Sequence, residues 1–228
     1  MPESFDPYSK NYNKLVNDAI RQTGYDADNL VSAKLHKLKN LFPSLSEKTF
    51  HLLDFGCGVG NLYGRVSDFF PEATYTGVDP SKDSISQARS RFPNNIDFQE
   101  TDSPEWVSRK YDLIFSAGVF HHIPHAEHAK LIEKLSSLLN REGTLVIWEH
   151  NPLNPVTQKI VNDCPFDKDA VLVPSKILRS HFDQVSLLNV QVIYTTFFPK
   201  FLSSLNFMDP FLGWLPLGGQ YLVTGKKG

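Results

Sequence analysis

Residues 52–60 read Leu-Leu-Asp-Phe-Gly-Cys-Gly-Val-Gly, an apolar run that ends in the carboxylate of Asp54 and then sets Gly56, Gly58 and Gly60 on alternate positions. Glycine has no Cβ and enters left-handed conformations at little cost, so this loop can turn sharply and lie close against a ligand. A carboxylate beside it would repel a pyrophosphate but takes charge-assisted hydrogen bonds from an ammonium group. The loop therefore suits a nucleoside ligand with a cationic end. Its Gly-x-Gly-x-Gly spacing also departs from the Gly-x-Gly-x-x-Gly fingerprint that rests a pyrophosphate on a helix N-terminus. A nicotinamide-dependent oxidoreductase on a related sheet is the competing reading, and it fails chiefly on that spacing and on Asp54.

Three further segments repeat the pattern of a strand that ends in a polar group. Thr74-Tyr-Thr-Gly-Val-Asp79 closes on a carboxylate suited to a diol, Ile96-Asp-Phe-Gln-Glu-Thr-Asp102 closes on another acid, and Tyr111-Asp-Leu-Ile-Phe-Ser-Ala-Gly118 opens into Val-Phe-His-His-Ile-Pro. With these four segments in order, residues 46–150 resemble the class I S-adenosylmethionine-dependent methyltransferases. The tail Glu149-His-Asn-Pro-Leu-Asn-Pro followed by Cys164-Pro-Phe-Asp-Lys-Asp-Ala looks like that of a bacterial subgroup of small-molecule methyltransferases related to the ubiquinone/menaquinone-biosynthesis type. The resemblance implies S-adenosyl-L-methionine as cofactor. It implies that Asp54, the adjoining Phe55 and the Gly56-Cys57-Gly58 loop hold its methionine end, and that Asp79 with Pro80 holds the ribose hydroxyls. It implies Asp102 and Ser103 at the adenine amino group, and Ser116 and Ala117 along the methionine chain. The residues allow plainer roles too: Asp79 before Pro80-Ser81 can cap the next helix, and Asp-Ser-Pro at 102–104 is a good turn. Cys57 reads as a small loop filler, since nothing near it in sequence would lower a thiol pKa.

The acceptor of a transferred methyl would sit beyond the carboxyl ends of the strands, where open α/β sheets bind ligands. Candidate walls are Phe120, Asn151, Tyr8, Tyr12, the 151–173 segment and the aromatic stretch 197–218. His122 and His150 follow strand ends and could take a proton from a hydroxyl or amine, with His122 favoured because it lies nearer Ser116 and Ala117. His121, His122, His125 and His128 crowd together, but no further His, Asp or Glu stands at ligand spacing along the chain, so no metal is expected. His125 and His128 open an amphipathic helix and are expected in solvent.

Strands alternate with helical stretches, the pattern of a mostly parallel sheet covered on both faces, here a Rossmann-like seven-stranded sheet. Helices are expected within 8–42, broken at Thr23-Gly24, the second placing Leu35, Leu38 and Phe42 on one face with lysines opposite. Strand 50–55, helix 59–70, strand 74–78, helix 81–91, strands 96–100 and 111–116, helix 125–140 and strand 143–149 follow. A helix near 174–182 and strands near 185–196 and 219–226 complete the chain as an antiparallel edge hairpin. The economical organisation is one domain, with an N-terminal helical cap (1–45), a cofactor-binding core (46–150) and substrate-side insertions at 151–173 and 197–218.

At 228 residues and 41% hydrophobic content the chain can bury one substantial core. A net charge of −2 gives no electrostatic footprint for nucleic acid. Two cysteines, Cys57 and Cys164, speak against a disulfide scaffold. The N-terminus Met-Pro-Glu-Ser-Phe-Asp lacks the basic flank and apolar core of a signal peptide, so a cytoplasmic location is expected. The expected reaction is methyl transfer to oxygen, nitrogen or carbon of a small or lipid-linked acceptor, with S-adenosylmethionine binding without transfer as a further alternative. Prolines and charges interrupt 197–218, so it cannot span a membrane. It can cover an apolar acceptor, pack on a second subunit of a homodimer, or rest on a membrane surface.

Overall fold

The computed structural model describes residues 6–9, 11–94 and 96–228. Helices α1 (Asp6–Ser9), α2 (Tyr12–Ile20) and α3 (Ala27–Leu41) precede β1 (Phe50–Phe55), α4 (Tyr63–Phe69), β2 (Ala73–Asp79), α5 (Lys82–Arg91), β3 (Asp97–Glu100) and β4 (Tyr111–Ala117). Then come α6 (His125–Ser137), β5 (Leu139–His150), α7 (Pro155–Asp163), α8 (Ser175–Gln184), β6 (Leu188–Thr195), α9 (Asp209–Leu212) and β7 (Gln220–Lys226).

The seven strands form one sheet in the order β3-β2-β1-β4-β5-β7-β6. The first five pair in parallel, while β7 runs antiparallel between β5 and β6. The central strands are near-continuous apolar runs because helices cover both faces: in β1 only His51 is exposed. One face packs Leu35 and Leu38 of α3 with Val66, Ile85, Phe98 and Phe115, and partly Phe42. The other packs Ile132 and Leu135 of α6 with Leu178, Phe182, Ile114 and Val223. Strand order reverses between β1 and β4, and the crevice at their carboxyl ends is the ligand position for such sheets.

Local signals explain the boundaries. Asp26 and Ser81 cap α3 and α5 by accepting from the Asn29 and Ser84 amides. Asn154 caps α7 ahead of Pro155, which sits in the first turn. The helix expected from residue 59 starts only at Tyr63, because Gly58 and Gly60 adopt left-handed φ of 52° and 78° that a helix cannot contain. Strand β5 starts earlier than the pattern suggested, since Leu139 already pairs with Tyr111 before a register shift.

Candidate active site

Asp54, the penultimate residue of β1, has its carboxylate buried and accepts the Tyr75 hydroxyl from β2 at 2.6 Å. Burial pushes its pKa up to about 7; the Tyr75 bond and Lys34 hold it down, and the Asp79 charge adds to the rise. Gly56 turns at φ 81°, and a Cβ there would meet Val119 Cγ2 at 2.2 Å, so only glycine lets the loop pass under the β4 exit. A Cβ on Gly58 would meet nothing within 4 Å, because that face of the loop opens onto the cleft. Asp79 braces the turn from β2: its Oδ2 accepts the Gly58 amide and its Oδ1 the Ser81 amide, each at 2.9 Å. The N-cap of α5 is Ser81, so Asp79 is not that cap.

The cleft beside this loop is lined by Tyr12, Lys34, Asp54, Gly58, Phe115 and Ala117, among others. Lys34 departs from the expected solvent face of α3. It turns into the cleft, where burial lowers its pKa to about 8 against the opposing pull of Glu149 and Asp54. Cys57 is buried, and burial with the nearby Asp54 and Asp79 charges raises its thiol pKa well above the ordinary value, consistent with an inert filler. The Phe55 side chain points away into the core, 6.0 Å from the Trp106 ring. Ser116 is fully buried, and among the described residues its Oγ has no hydrogen-bond partner. Pro80 and Asp102 are exposed, and the Ser103 amide closes a turn on the Glu100 carbonyl.

Across the cleft, the β4 and β5 ends build a second buried charge cluster. Glu149, 1% exposed on the penultimate position of β5, accepts the Val119 and Phe120 amides through Oε1 at 2.9 and 2.7 Å. Its Oε2 lies 2.6 Å from His121 Nδ1. The opposite nitrogen, His121 Nε2, is 3.5 Å from Asp167 Oδ1, and His122 Nε2 is 3.2 Å from the same oxygen. Burial disfavours the imidazolium of His121, but Glu149 and Asp167 overcome it and raise the pKa to about 10. Glu149 is correspondingly lowered to about 2 despite its burial, and Asp167 is held well below the carboxylate range. His150, whose ring centroid lies 5.1 Å from that of His121, is lowered to about 4 by burial and by the His121 cation.

Glu149 and Asp167 were not singled out in the sequence, and His121 stood there only as one of four crowded histidines. Glu149 carried a usable signal, since an acid inside a run as apolar as Leu-Val-Ile-Trp needs a buried partner. The expectation of no metal is corrected by the fold: Asp167, distant along the chain, arrives from the 151–173 segment, and ligand atoms of His121, His150 and Asp167 all fall within 4.8 Å of one another.

The other expected acceptor contacts divide. Tyr12 lines the cleft and stacks on Phe166 at 5.2 Å, and Tyr8 reaches the same ring at 6.2 Å, so the N-terminal helices do meet the 151–173 segment. Burial, followed by Asp167 and Asp79, raises the Tyr12 phenol. Phe120 instead sinks fully into the core, edge-on to His128. Asn151 is also buried and is used structurally: its Nδ2 donates to the Pro216 and Gly218 carbonyls and pins the 197–218 connection. His128 corrects the expectation of solvent exposure, being fully buried with Nε2 2.9 Å from the Phe120 and Ile123 carbonyls. The connection itself exposes Phe201, Phe207, Phe211 and Trp214.

Comparison with known proteins agrees with this geometry. The family described as "Methyltransferase domain" matches residues 53–145, from the glycine loop through the start of the buried part of β5. This segment is thus similar in sequence to a methyltransferase domain. The chain is 35% identical over 102 residues to trans-aconitate 2-methyltransferase of Escherichia coli (strain 55989 / EAEC), a stretch covering 44% of this chain and 39% of that relative. The chain thus spans well under half the length of the curated relatives it matches. Among solved structures, the chain superposes on an S-adenosylmethionine-dependent methyltransferase from Thermotoga maritima. That match has a TM-score of 0.67 and 15% identity, and covers 98% of each chain. Magnesium protoporphyrin IX methyltransferase from Synechocystis PCC 6803, solved with bound S-adenosylhomocysteine, matches with a TM-score of 0.60 and 17% identity over 95% of this chain and 96% of that one. At these identities the superpositions establish the Rossmann-like fold. Among the described residues, no helix is long and apolar enough to cross a membrane.

Proposed function

We propose that this protein transfers the methyl group of S-adenosylmethionine to a small-molecule acceptor. The observation that carries the reading is the pair of buried strand-end carboxylates around an open glycine turn. Asp54 stands at the cleft and Asp79 braces the Gly58 amide. A nicotinamide dinucleotide suits this turn poorly, because the loop runs on to Tyr63 before a helix begins and so offers no helix N-terminus to a pyrophosphate.

In this reading Asp54 receives the cofactor's ammonium group and Lys34 faces its carboxylate, so the two side chains orient the methionine end by opposite charges. Asp79, beside Pro80, takes the ribose hydroxyls, Asp102 and Ser103 lie toward the adenine, and Ser116 and Ala117 flank the methionine chain. When bound, S-adenosylmethionine supplies a sulfonium-activated methyl group. The protein must then hold the acceptor in line at about 3–3.5 Å and exclude water. His122, beside Asp167, is the favoured group to take a proton from the acceptor, and His150 is the second candidate. Tyr8, Tyr12 and the 151–173 segment form the acceptor wall. The trans-aconitate relative directs the first acceptor panel to small carboxylic acids, with amines, phenols and lipid-linked acceptors as further arms.

S-adenosylhomocysteine at about 100 times its dissociation constant should stabilise the protein by roughly 2.7 kcal/mol. Differential scanning fluorimetry should show that shift, with none from NAD or NADP. Stabilisation by a nicotinamide cofactor alone would overturn the reading.

A further inference from the structure

We infer that His121 Nε2, His150 and Asp167 form a binding site for a borderline divalent transition-metal ion of the zinc class, next to the cofactor cleft. Two imidazoles and one carboxylate are a donor set for zinc, iron or cobalt, and unlike the all-oxygen sets of magnesium and calcium. Three protein ligands with an open position is also the pattern of catalytic rather than structural zinc.

Four observations support the assignment. First, His121 is oriented as a ligand would be. Its Nδ1 is engaged by Glu149 Oε2 at 2.6 Å, and Glu149 is itself fixed by the Val119 and Phe120 amides. A carboxylate on the far nitrogen is the usual support of a metal-bound histidine, because it fixes the ring and directs Nε2 at the ion. Second, Asp167 is 7% exposed, and its Oδ1 faces two imidazole nitrogens, His121 Nε2 at 3.5 Å and His122 Nε2 at 3.2 Å. A buried carboxylate oxygen set among nitrogen donors is placed as a ligand of a borderline metal ion would be. Third, His121 Nε2 and Asp167 Oδ1 are 3.5 Å apart. Two ligand atoms each about 2.0–2.1 Å from a tetrahedral ion stand about 3.4 Å apart. The His150 ligand atom lies within 4.8 Å of both, so a side-chain movement of roughly 1 Å brings it into range. Fourth, the three ligands come from the β4 exit, the β5 end and the turn after α7, so the ion would tie the 151–173 segment to the strand ends. The place is consistent with acceptor binding, since Tyr12 lines the cleft and stacks on Phe166, the neighbour of Asp167.

The test is titration of the chelator-treated full chain with Co²⁺ and Zn²⁺, read by ligand-field absorption for cobalt and by calorimetry for both, with Mg²⁺ as a comparison. One equivalent of Co²⁺ and of Zn²⁺ should bind, with Mg²⁺ at least about 100-fold weaker given the nitrogen donors. His150→Ala and Asp167→Asn should each lose about 100-fold or more in Co²⁺ affinity, and Glu149→Gln roughly 10–100-fold by releasing the His121 ring. His51→Ala, at an exposed histidine, should bind as the parent does. His150→Gln replaces His150→Ala if circular dichroism shows the latter unfolded. Absence of stoichiometric Co²⁺ and Zn²⁺ binding would overturn the inference. So would binding that survives in the folded His150 and Asp167 variants, or that falls equally in His51→Ala. No cofactor is present in these titrations, so failure here is separate from failure of the methyltransferase reading.

Discussion

On the β1–β2 side of the cleft, Asp54, Gly56 and Gly58 come from five consecutive residues, and Asp79 follows after one helix. The β4–β5 side instead draws His121, Glu149, His150 and Asp167 from three separate stretches of chain. The first side is backbone turned around a few short bonds, and its carboxylates are held by a phenol and by amides. The second side is a buried ionic network in which an imidazolium sits between two carboxylates. The difference separates two jobs: the first side presents a fixed surface to one ligand, while the second concentrates charge that must be balanced within the fold.

The largest effect should follow from unbalancing that network. Glu149→Ala leaves His121 and two buried amides without their acceptor, and should cost on the order of 3–5 kcal/mol in urea denaturation. A loss below about 1 kcal/mol would erase the contrast between the two sides. The pH dependence has two arms. Glu149, lowered to about 2, contributes stability that is full above its ordinary pKa near 4.5 and is lost as pH falls toward 2. His121, raised to about 10, contributes stability that is full below about 6.5 and is lost as pH rises through about 10. Glu149→Gln should flatten both arms of a stability profile measured from pH 3 to 10.

A smaller effect is expected on the first side. Asp79→Ala removes a charge-assisted acceptor worth roughly 1.5–3 kcal/mol per bond, so S-adenosylhomocysteine affinity should fall by about tenfold or more. Calorimetry on the folded variant checks this, and unchanged affinity would reduce Asp79 to a brace for the loop.

The same contrast explains what could be read from the chain. The glycine loop and the succession of strands and helices were legible because each is a local pattern: apolar runs of strand length, and glycines where φ must be positive. The β4–β5 side was not, because a histidine's role depends on what faces it through space. His122 and His150 could be seen at strand ends, but the deeper His121 could not be told from its neighbour without knowing that Glu149 and Asp167 converge on it. Phe120 and Asn151 misled for a related reason. Both follow a strand end, yet one is pulled into the core against His128 and the other is consumed by carbonyls of the 197–218 connection.

The smallest expected effect sharpens the comparison most, because it treats a buried acid on the first side as a titrating partner. Burial raises Asp54 to about 7, so in the unliganded protein its ionised form is disfavoured, and its contribution to stability falls as pH rises from the ordinary carboxylate range through about 7. A ligand ammonium needs the ionised form. S-adenosylhomocysteine affinity should therefore rise with pH by at most about tenfold per unit below 7 and level off above it, the slope of a single proton released on binding. The Tyr75 hydroxyl donates to Asp54 at 2.6 Å and favours the ionised form. Tyr75→Phe should thus move the inflection to higher pH while leaving the plateau affinity nearly unchanged. Titrations between pH 5 and 8.5 on both proteins decide it. A flat profile would mean that Asp54 is ionised throughout or does not meet the ammonium, and an unshifted inflection in Tyr75→Phe would assign the titration to another group.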